Sequence, residues 1–220
     1  MNYPITTERA DLFDHKILIA MEIEILGTTN ENDLRTAFWE AVKAHESLNT
    51  KVRIEKDGSA WYVPGDGKQN SIHFTQKDLQ SLVSEQEKIR FRIEDGEFLR
   101  VFAATQEGGF RGLFLMHHLA GDGKSLVIFI DSFLRALNGE KLTFTPISLL
   151  TPEGLPGKLP LITQSLLKFW NERWKKEKKV FTFGDLQNSY EQFWACHETV
   201  WEVRTYETAA LRKQMLRYVI

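Results

Sequence analysis

The run from Gly112 to Leu137 commits this stretch of chain to a strand, a sharp turn and a helix, in that order. Gly112-Leu113-Phe114-Leu115-Met116 is a short apolar run of the kind buried in a sheet, whereas Leu126, Phe129, Ile130, Phe133, Leu134 and Leu137 recur at helical spacing. The helical pattern ends at Asn138-Gly139, a C-terminal cap signal. Between the two lies His117-His118-Leu119-Ala120-Gly121-Asp122-Gly123. Chemistry-bearing residues on a strand-to-helix turn leave the core and are free to face a ligand.

Successive side chains of a strand point to opposite faces. Leu113, Leu115 and His117 therefore share one face, and Phe114, Met116 and His118 the other. If the strand persists to His118, both imidazoles cannot enter one pocket, and one of them is structural. Histidine is the usual general base because its ordinary pKa lies near operating pH. Asp122 has three roles open to it: orienting an imidazole, pairing with a cation, or capping the helix ahead of Lys124-Ser125-Leu126. Gly123 permits either a positive φ or close passage of a substrate. The bland alternative is a pair of satisfied core histidines beside an N-cap.

The surrounding pattern is α/β, with strands expected over Lys16–Ile25, Lys51–Glu55, Ala60–Val63, Phe98–Ala104 and Gly112–His118. Asp57-Gly58 is a hairpin turn signal, and Gly108-Gly109 lies in the connection of the last two strands. Asn30 caps a helix with an apolar stripe at Leu34, Ala37, Phe38, Ala41 and Val42, and Asp78–Ile89 reads as a second helix. Residues 146–160 form a Pro/Gly-rich linker, through Pro146, Pro152, Gly154, Pro156, Gly157 and Pro160. Leu161–Lys179 is a long helix inside a basic amphipathic segment, 161–190. Glu191–Val203 reads as a strand and Thr205–Leu216 as a helix.

Composition removes several classes of function. A net charge of −2 and the lack of a recognised binding motif argue against nucleic acid. Cys196 is the single cysteine, so no disulfide framework or CxxC metal site exists; within Phe193-Trp194-Ala195 it is expected to be packed. His15, His45, His73 and His197 lack metal-ligand spacing, and the diverging His117-His118 pair is a poor site, so no metal is expected. Neither a signal peptide nor an apolar run of about 20 residues is evident, and a cytoplasmic protein is the default reading. Lys168, Arg173, Lys175, Lys176, Lys178 and Lys179 surround Trp170 and Trp174. Contact with an anionic membrane surface or with phosphates is one reading; the favoured one is a solvated face whose tryptophans dock on the lobe.

His117-His118-x-x-x-Asp122-Gly123 resembles the HHxxxDG signature of the CoA-dependent acyltransferase superfamily, which includes chloramphenicol acetyltransferase, condensation domains, wax ester synthases and alcohol acyltransferase-like proteins. Leu34–Val52, ending in Ala44-His45-Glu46-Ser47-Leu48-Asn49-Thr50-Lys51-Val52, resembles the family's first helix and following strand. Phe91–Arg100 looks like its connector into the motif-bearing hairpin. Family-like features in family order span residues 5–140.

The resemblance implies a chloramphenicol acetyltransferase-like lobe over residues 1–145, with a mixed, mainly antiparallel sheet flanked by helices. It implies that His118 is the general base in a tunnel between two lobes, with His117, Asp122, Gly123 and Asn49 as structural support. In condensation domains an arginine that pairs with the motif aspartate lies in the segment matching Leu48-Asn49-Thr50; here that position is Asn49. Either Lys51 or Arg53 on the same strand face substitutes or Asp122 accepts hydrogen bonds only, and the departure points away from the condensation-domain subtype within the superfamily. The implied donor is an acyl-CoA or acyl-phosphopantetheine carrier thioester, with no permanently bound cofactor; the acceptor is an alcohol or amine. Residues 191–220 then read as the start of a truncated second lobe, with no DFGWG segment. A second lobe, or a homo-oligomer, would complete the site. The rival expectation is an inactive lobe that binds a ligand or partner.

Overall fold

The computed structural model describes residues 2–27, 29–106, 108–148, 160–177 and 180–200. The apolar run ahead of the paired histidines is strand β7 (Gly109–His117), buried on both faces for most of its length. It pairs antiparallel with β2 (Leu18–Leu26) on one side and β6 (Leu99–Gln106) on the other, and β5 (Ser71–Phe74) adds parallel to β6. A smaller antiparallel sheet has the order β1-β4-β3, from Tyr3–Ile5, Ala60–Pro64 and Thr50–Ile54. The β3–β4 hairpin turns at Asp57-Gly58, where Gly58 has φ 81°. Gly109, expected in a connection, begins β7 and pairs with Leu26. β1 and β5 were not expected, since three or four residues are too few to show a periodicity.

Helices α1 (Glu31–Ala44) and α3 (Gly123–Leu137) lie against each other and the large sheet. Asn30 starts α1, its Oδ1 accepting the Asp33 N–H at 3.0 Å. Phe114 of β7 meets Phe129 and Phe133 of α3 edge-on, at centroid separations of 6.3 and 5.6 Å, and Phe38 of α1 meets Phe129 at 6.4 Å. Burying each ring is worth about 1.5–3 kcal/mol, so this aromatic layer fixes where α3 begins relative to the end of β7. That junction is the histidine turn.

Helix α2 (Leu79–Gln86) starts at its Asp78 cap but stops short of the expected Ile89. The Arg100 guanidinium takes the carbonyls of Ile89 and Arg90, both at 2.9 Å, and holds this stretch out of the helix. Helix α4 spans Leu161–Glu177, close to expectation. The expected strand from Glu191 is corrected: Phe183–Cys196 is helix α5. A capping box decides it, with Thr182 Oγ1 accepting the Asp185 N–H at 3.2 Å and Asp185 Oδ2 accepting the Thr182 N–H at 2.9 Å. Leu186, Tyr190 and Trp194, four apart, then form its buried stripe. The aromatic run Phe193-Trp194 mimics a strand only when read without that cap. Cys196 is also corrected: it is exposed at the end of α5, because Trp194 takes the inward position.

Most of the 146–160 linker, residues 149–159, and the expected helix Thr205–Leu216 lie outside the described residues. Helix α5 packs back on the lobe: Ser189 Oγ is 2.9 Å from His15 Nε2, Gln187 Oε1 accepts from Arg90 Nε at 2.8 Å, and Tyr190 donates its hydroxyl proton to the Glu87 carbonyl. Among the described residues, no helix is long and apolar enough to cross a membrane.

Candidate functional site

β7 stops at His117, and His118–Ala120 form a single 3-10 turn before α3. The strand ends one residue earlier than expected, so the turn and not strand alternation parts the two rings. His117 is buried, 5% exposed, with its ring edge-on to Phe91 at 5.8 Å and Phe98 at 6.4 Å. Its Nδ1 accepts the Leu119 N–H at 3.2 Å, which places the ring proton on Nε2. Burial first, then the charges of His118, Arg100 and Arg90, push its pKa down to about 3. His117 is a neutral structural member of the turn.

The His118 side chain is 46% exposed, and its Nδ1 lies 3.5 Å from Asp11 Oδ2. Asp11 sits on a 3-10 turn, Thr7–Leu12, that leads from β1 toward β2. Burial raises its carboxyl pKa, opposed by the pull of His118 and assisted by Asp14 and Glu8. Beneath the turn, Tyr62 Oη donates to the Leu119 carbonyl at 2.9 Å, tying β4 of the small sheet to the motif. Neither Asp11 nor Tyr62 carries a sequence signal: Asp11 lies in a stretch without periodicity, and Tyr62 reads as one more apolar strand residue.

Asp122 caps α3. Its Oδ1 accepts the Ser125 N–H at 2.8 Å and the Ser125 hydroxyl at 2.9 Å, and these bonds hold the carboxyl below its usual range. Among the described residues no cation lies within 4 Å of it; Arg53 instead pairs with Glu55 at 2.7 Å. Asn49 is spent elsewhere: its Nδ2 donates to the carbonyls of Val42 and His45, at 2.7 and 2.8 Å, closing the C-terminus of α1. Of the two conformational roles open to Gly123, positive φ is excluded, because Gly123 is the first residue of α3. The positive angle belongs to Gly121, at φ 149°, where an added Cβ would lie 2.4 Å from Ser125 Cβ. A Cβ on Gly123 would meet nothing within 4 Å, so its surface is open to an approaching group.

Behind His117, a cavity of about 10 Å³ is lined by His117, Phe91, Glu87, Arg90, Leu186 and Tyr190, among others. That is room for one water. Glu87 Oε1 is buried without a hydrogen-bond partner. Close by is a buried ion pair: Arg100 donates from Nε to Glu97 Oε1 at 2.9 Å and from Nη2 to Oε2 at 3.1 Å, with its guanidinium 4.1 Å from the Phe91 ring centroid. Among the described residues no cluster of three or more His, Cys, Asp or Glu side chains is arranged to hold a metal. The expectation that the α4 tryptophans dock on the lobe fails at Trp170, which is 58% exposed, flanked by Phe169 and by the Arg173 guanidinium.

No family model matches the chain. Its backbone does match solved structures. The condensation domain from the monacolin K polyketide synthase aligns with a TM-score of 0.58 at 15% identity, covering 67% of this chain and 37% of that one. The chain has a condensation-domain fold. The starter condensation domain of rhizomide synthetase aligns over 98% of the chain and 57% of its own length, with a TM-score of 0.57 and 11% identity. A structure of condensation domain-mediated chain release from the enacyloxin polyketide synthase gives 0.51 over 78% of the chain and 38% of its own. Among curated proteins, fusarin C synthetase of Gibberella fujikuroi is 25% identical over 184 residues, 79% of this chain and 5% of that protein. The namesake from Gibberella moniliformis is 27% identical over 139 residues, 60% of the chain and 4% of the protein. This condensation-type lobe thus spans a small fraction of its curated relatives and 37–57% of the matched condensation domains of monacolin K and rhizomide.

Proposed function

We propose that this chain supplies the histidine-bearing lobe of an acyltransferase that moves an acyl group from a CoA or carrier thioester to an alcohol or amine, with His118 as general base. The observation that carries the reading is the placement of a half-exposed imidazole at the end of β7 in a condensation-domain fold, while its neighbour His117 is neutral and buried. His118 Nε2 takes the acceptor proton as the oxygen or nitrogen attacks the thioester carbonyl. The tetrahedral intermediate then collapses, the C–S bond breaks, and the leaving thiolate takes the proton back from the His118 imidazolium, which restores the base. Open space over Gly123, at the start of α3, gives a substrate a place to pass. A second lobe or a second copy of the chain would cover His118 and exclude water.

A second reading is a binding lobe without turnover. The observations that favour it are the absence of a cation at Asp122 among the described residues and the use of Asn49 to close α1. The test that separates the two is a free-thiol assay with acetyl-CoA and longer acyl-CoAs against a panel of alcohols and amines. Release that depends on both acceptor and His118 supports the transferase. Release that persists unchanged in His118→Ala removes His118 as the base, and no release from folded protein excludes a self-sufficient transferase and leaves the half-enzyme and the binding lobe.

A further inference from the structure

We infer that Asp11 is a positioning residue for His118: its carboxylate faces Nδ1, fixes the ring proton there and leaves Nε2 as the free base. The inference deepens the proposed function and rests on it for its catalytic meaning, though the pairing itself stands on geometry.

The contact joins segments that are 107 residues apart in sequence, Asp11 Oδ2 to His118 Nδ1 at 3.5 Å. At 3.5 Å this is a charge contact and not a formed hydrogen bond; catalytic contacts are often long before substrate binds and tighten afterwards. Both sides are anchored. Leu12, next to Asp11, is 1% exposed in the core, and the Arg9 guanidinium on the same turn donates to the Gly58 carbonyl. On the other side the His118 N–H donates to the Ile17 carbonyl at 3.2 Å, and Tyr62 holds the Leu119 carbonyl. Asp11 is only 24% exposed, so its charge acts through less water than a surface carboxylate would.

The neighbours leave Asp11 as the partner. Asp122 is turned to the Ser125 amide and hydroxyl. His117 spends Nδ1 on Leu119, and Tyr62 is committed to the same residue's carbonyl. Asp14 and Glu8 add negative charge around Asp11 and disfavour its ionisation, whereas a cationic His118 favours it. As His118 gains a proton from the acceptor, the adjacent carboxylate stabilises the imidazolium that forms.

The first measurement is the ring tautomer of His118 in the wild-type chain labelled with 15N-histidine, which needs neither substrate nor variant. The expected neutral form carries its proton on Nδ1; a ring protonated on Nε2 overturns the inference. The second is the Asp11 carboxyl titration in wild type and His118→Ala. It should move to higher pH when the imidazole is removed, and an unmoved titration again overturns the pairing. In the thioester assay Asp11→Asn should lower kcat by about tenfold or more with KM within about twofold, and Asp11→Glu should recover part of it. Equal losses in the Asn and Glu variants, with the tautomer unchanged, would reduce Asp11 to a structural role. A correct tautomer and titration without turnover leave the dyad standing and sink a self-sufficient transferase; His118-dependent turnover with the wrong tautomer keeps the transferase and overturns the dyad.

Discussion

The Leu119 amide donates to His117 Nδ1 across 3.2 Å, so the ring of the first histidine closes the turn that presents the second. The two neighbours divide the work: His117 is spent on architecture, and His118 stands half-exposed beside Asp11.

The pH dependence of stability should carry the mark of His117. Its folded pKa, about 3, lies below the ordinary histidine value, so the unfolded chain binds the extra proton. Stability is therefore fully present above pH ~6.5 and is lost as pH falls toward 3. Burial lowers His45 too, with the same sign. Thermal melts should show Tm falling between pH 7 and pH 4. In His117→Asn that fall should be shallower on a lower baseline; an identical slope would show that His117 does not titrate with unfolding.

Asp122 predicts a loss of stability for a reason unrelated to ion pairing. Asp122→Ala removes the α3 cap and should cost about 1 kcal/mol, while Asp122→Asn should keep most of it. Urea denaturation of the two variants measures the difference. An equal, larger loss in both would point to a charge interaction instead.

The two glycines of the turn should behave oppositely. Gly121→Ala places a Cβ against Ser125 at φ 149° and should destabilise the chain by about 1–3 kcal/mol. Gly123→Ala meets open space inside a helix and should leave Tm unchanged or slightly raised. If substrate passes over Gly123, that stable variant should still lose transfer activity in the thiol-release assay.

The Glu97–Arg100 pair is buried, with both side chains at most 10% exposed. Arg100→Ala leaves the buried Glu97 carboxylate with only the Arg92 N–H at 2.9 Å and the Arg92 guanidinium at 3.7 Å, and frees the Ile89 and Arg90 carbonyls, so a loss of about 3 kcal/mol is expected by urea denaturation. The double variant Glu97→Gln with Arg100→Met should recover part of it.

Local pattern was sufficient where a signal repeats within a few residues. Helical spacing from Leu126 to Leu137 located α3 and Asn30 marked the start of α1, whereas alternation stopped short of His118 because β7 ends at His117. The seven residues from His117 to Gly123 carried the superfamily resemblance, and the backbone bears out its fold. Pattern failed at α5, where Phe193-Trp194-Ala195-Cys196 looks like a strand until Thr182 and Asp185 close a capping box. It also failed to mark β1 and β5, which are shorter than any period they would have to display.

The α/β class and the strand-turn-helix unit were legible in the sequence by itself, because they depend on interactions between residues at most a few positions apart, whereas the choice of His118 over His117 came from the motif resemblance and not from local pattern. Only the tertiary structure decided what stands beside His118. Asp11 is 107 residues away in sequence, and Tyr62 is 57 residues from the carbonyl it ties down. Neither distance leaves a local trace, since a single side chain meeting a group from a distant segment imposes no periodicity on the chain that carries it.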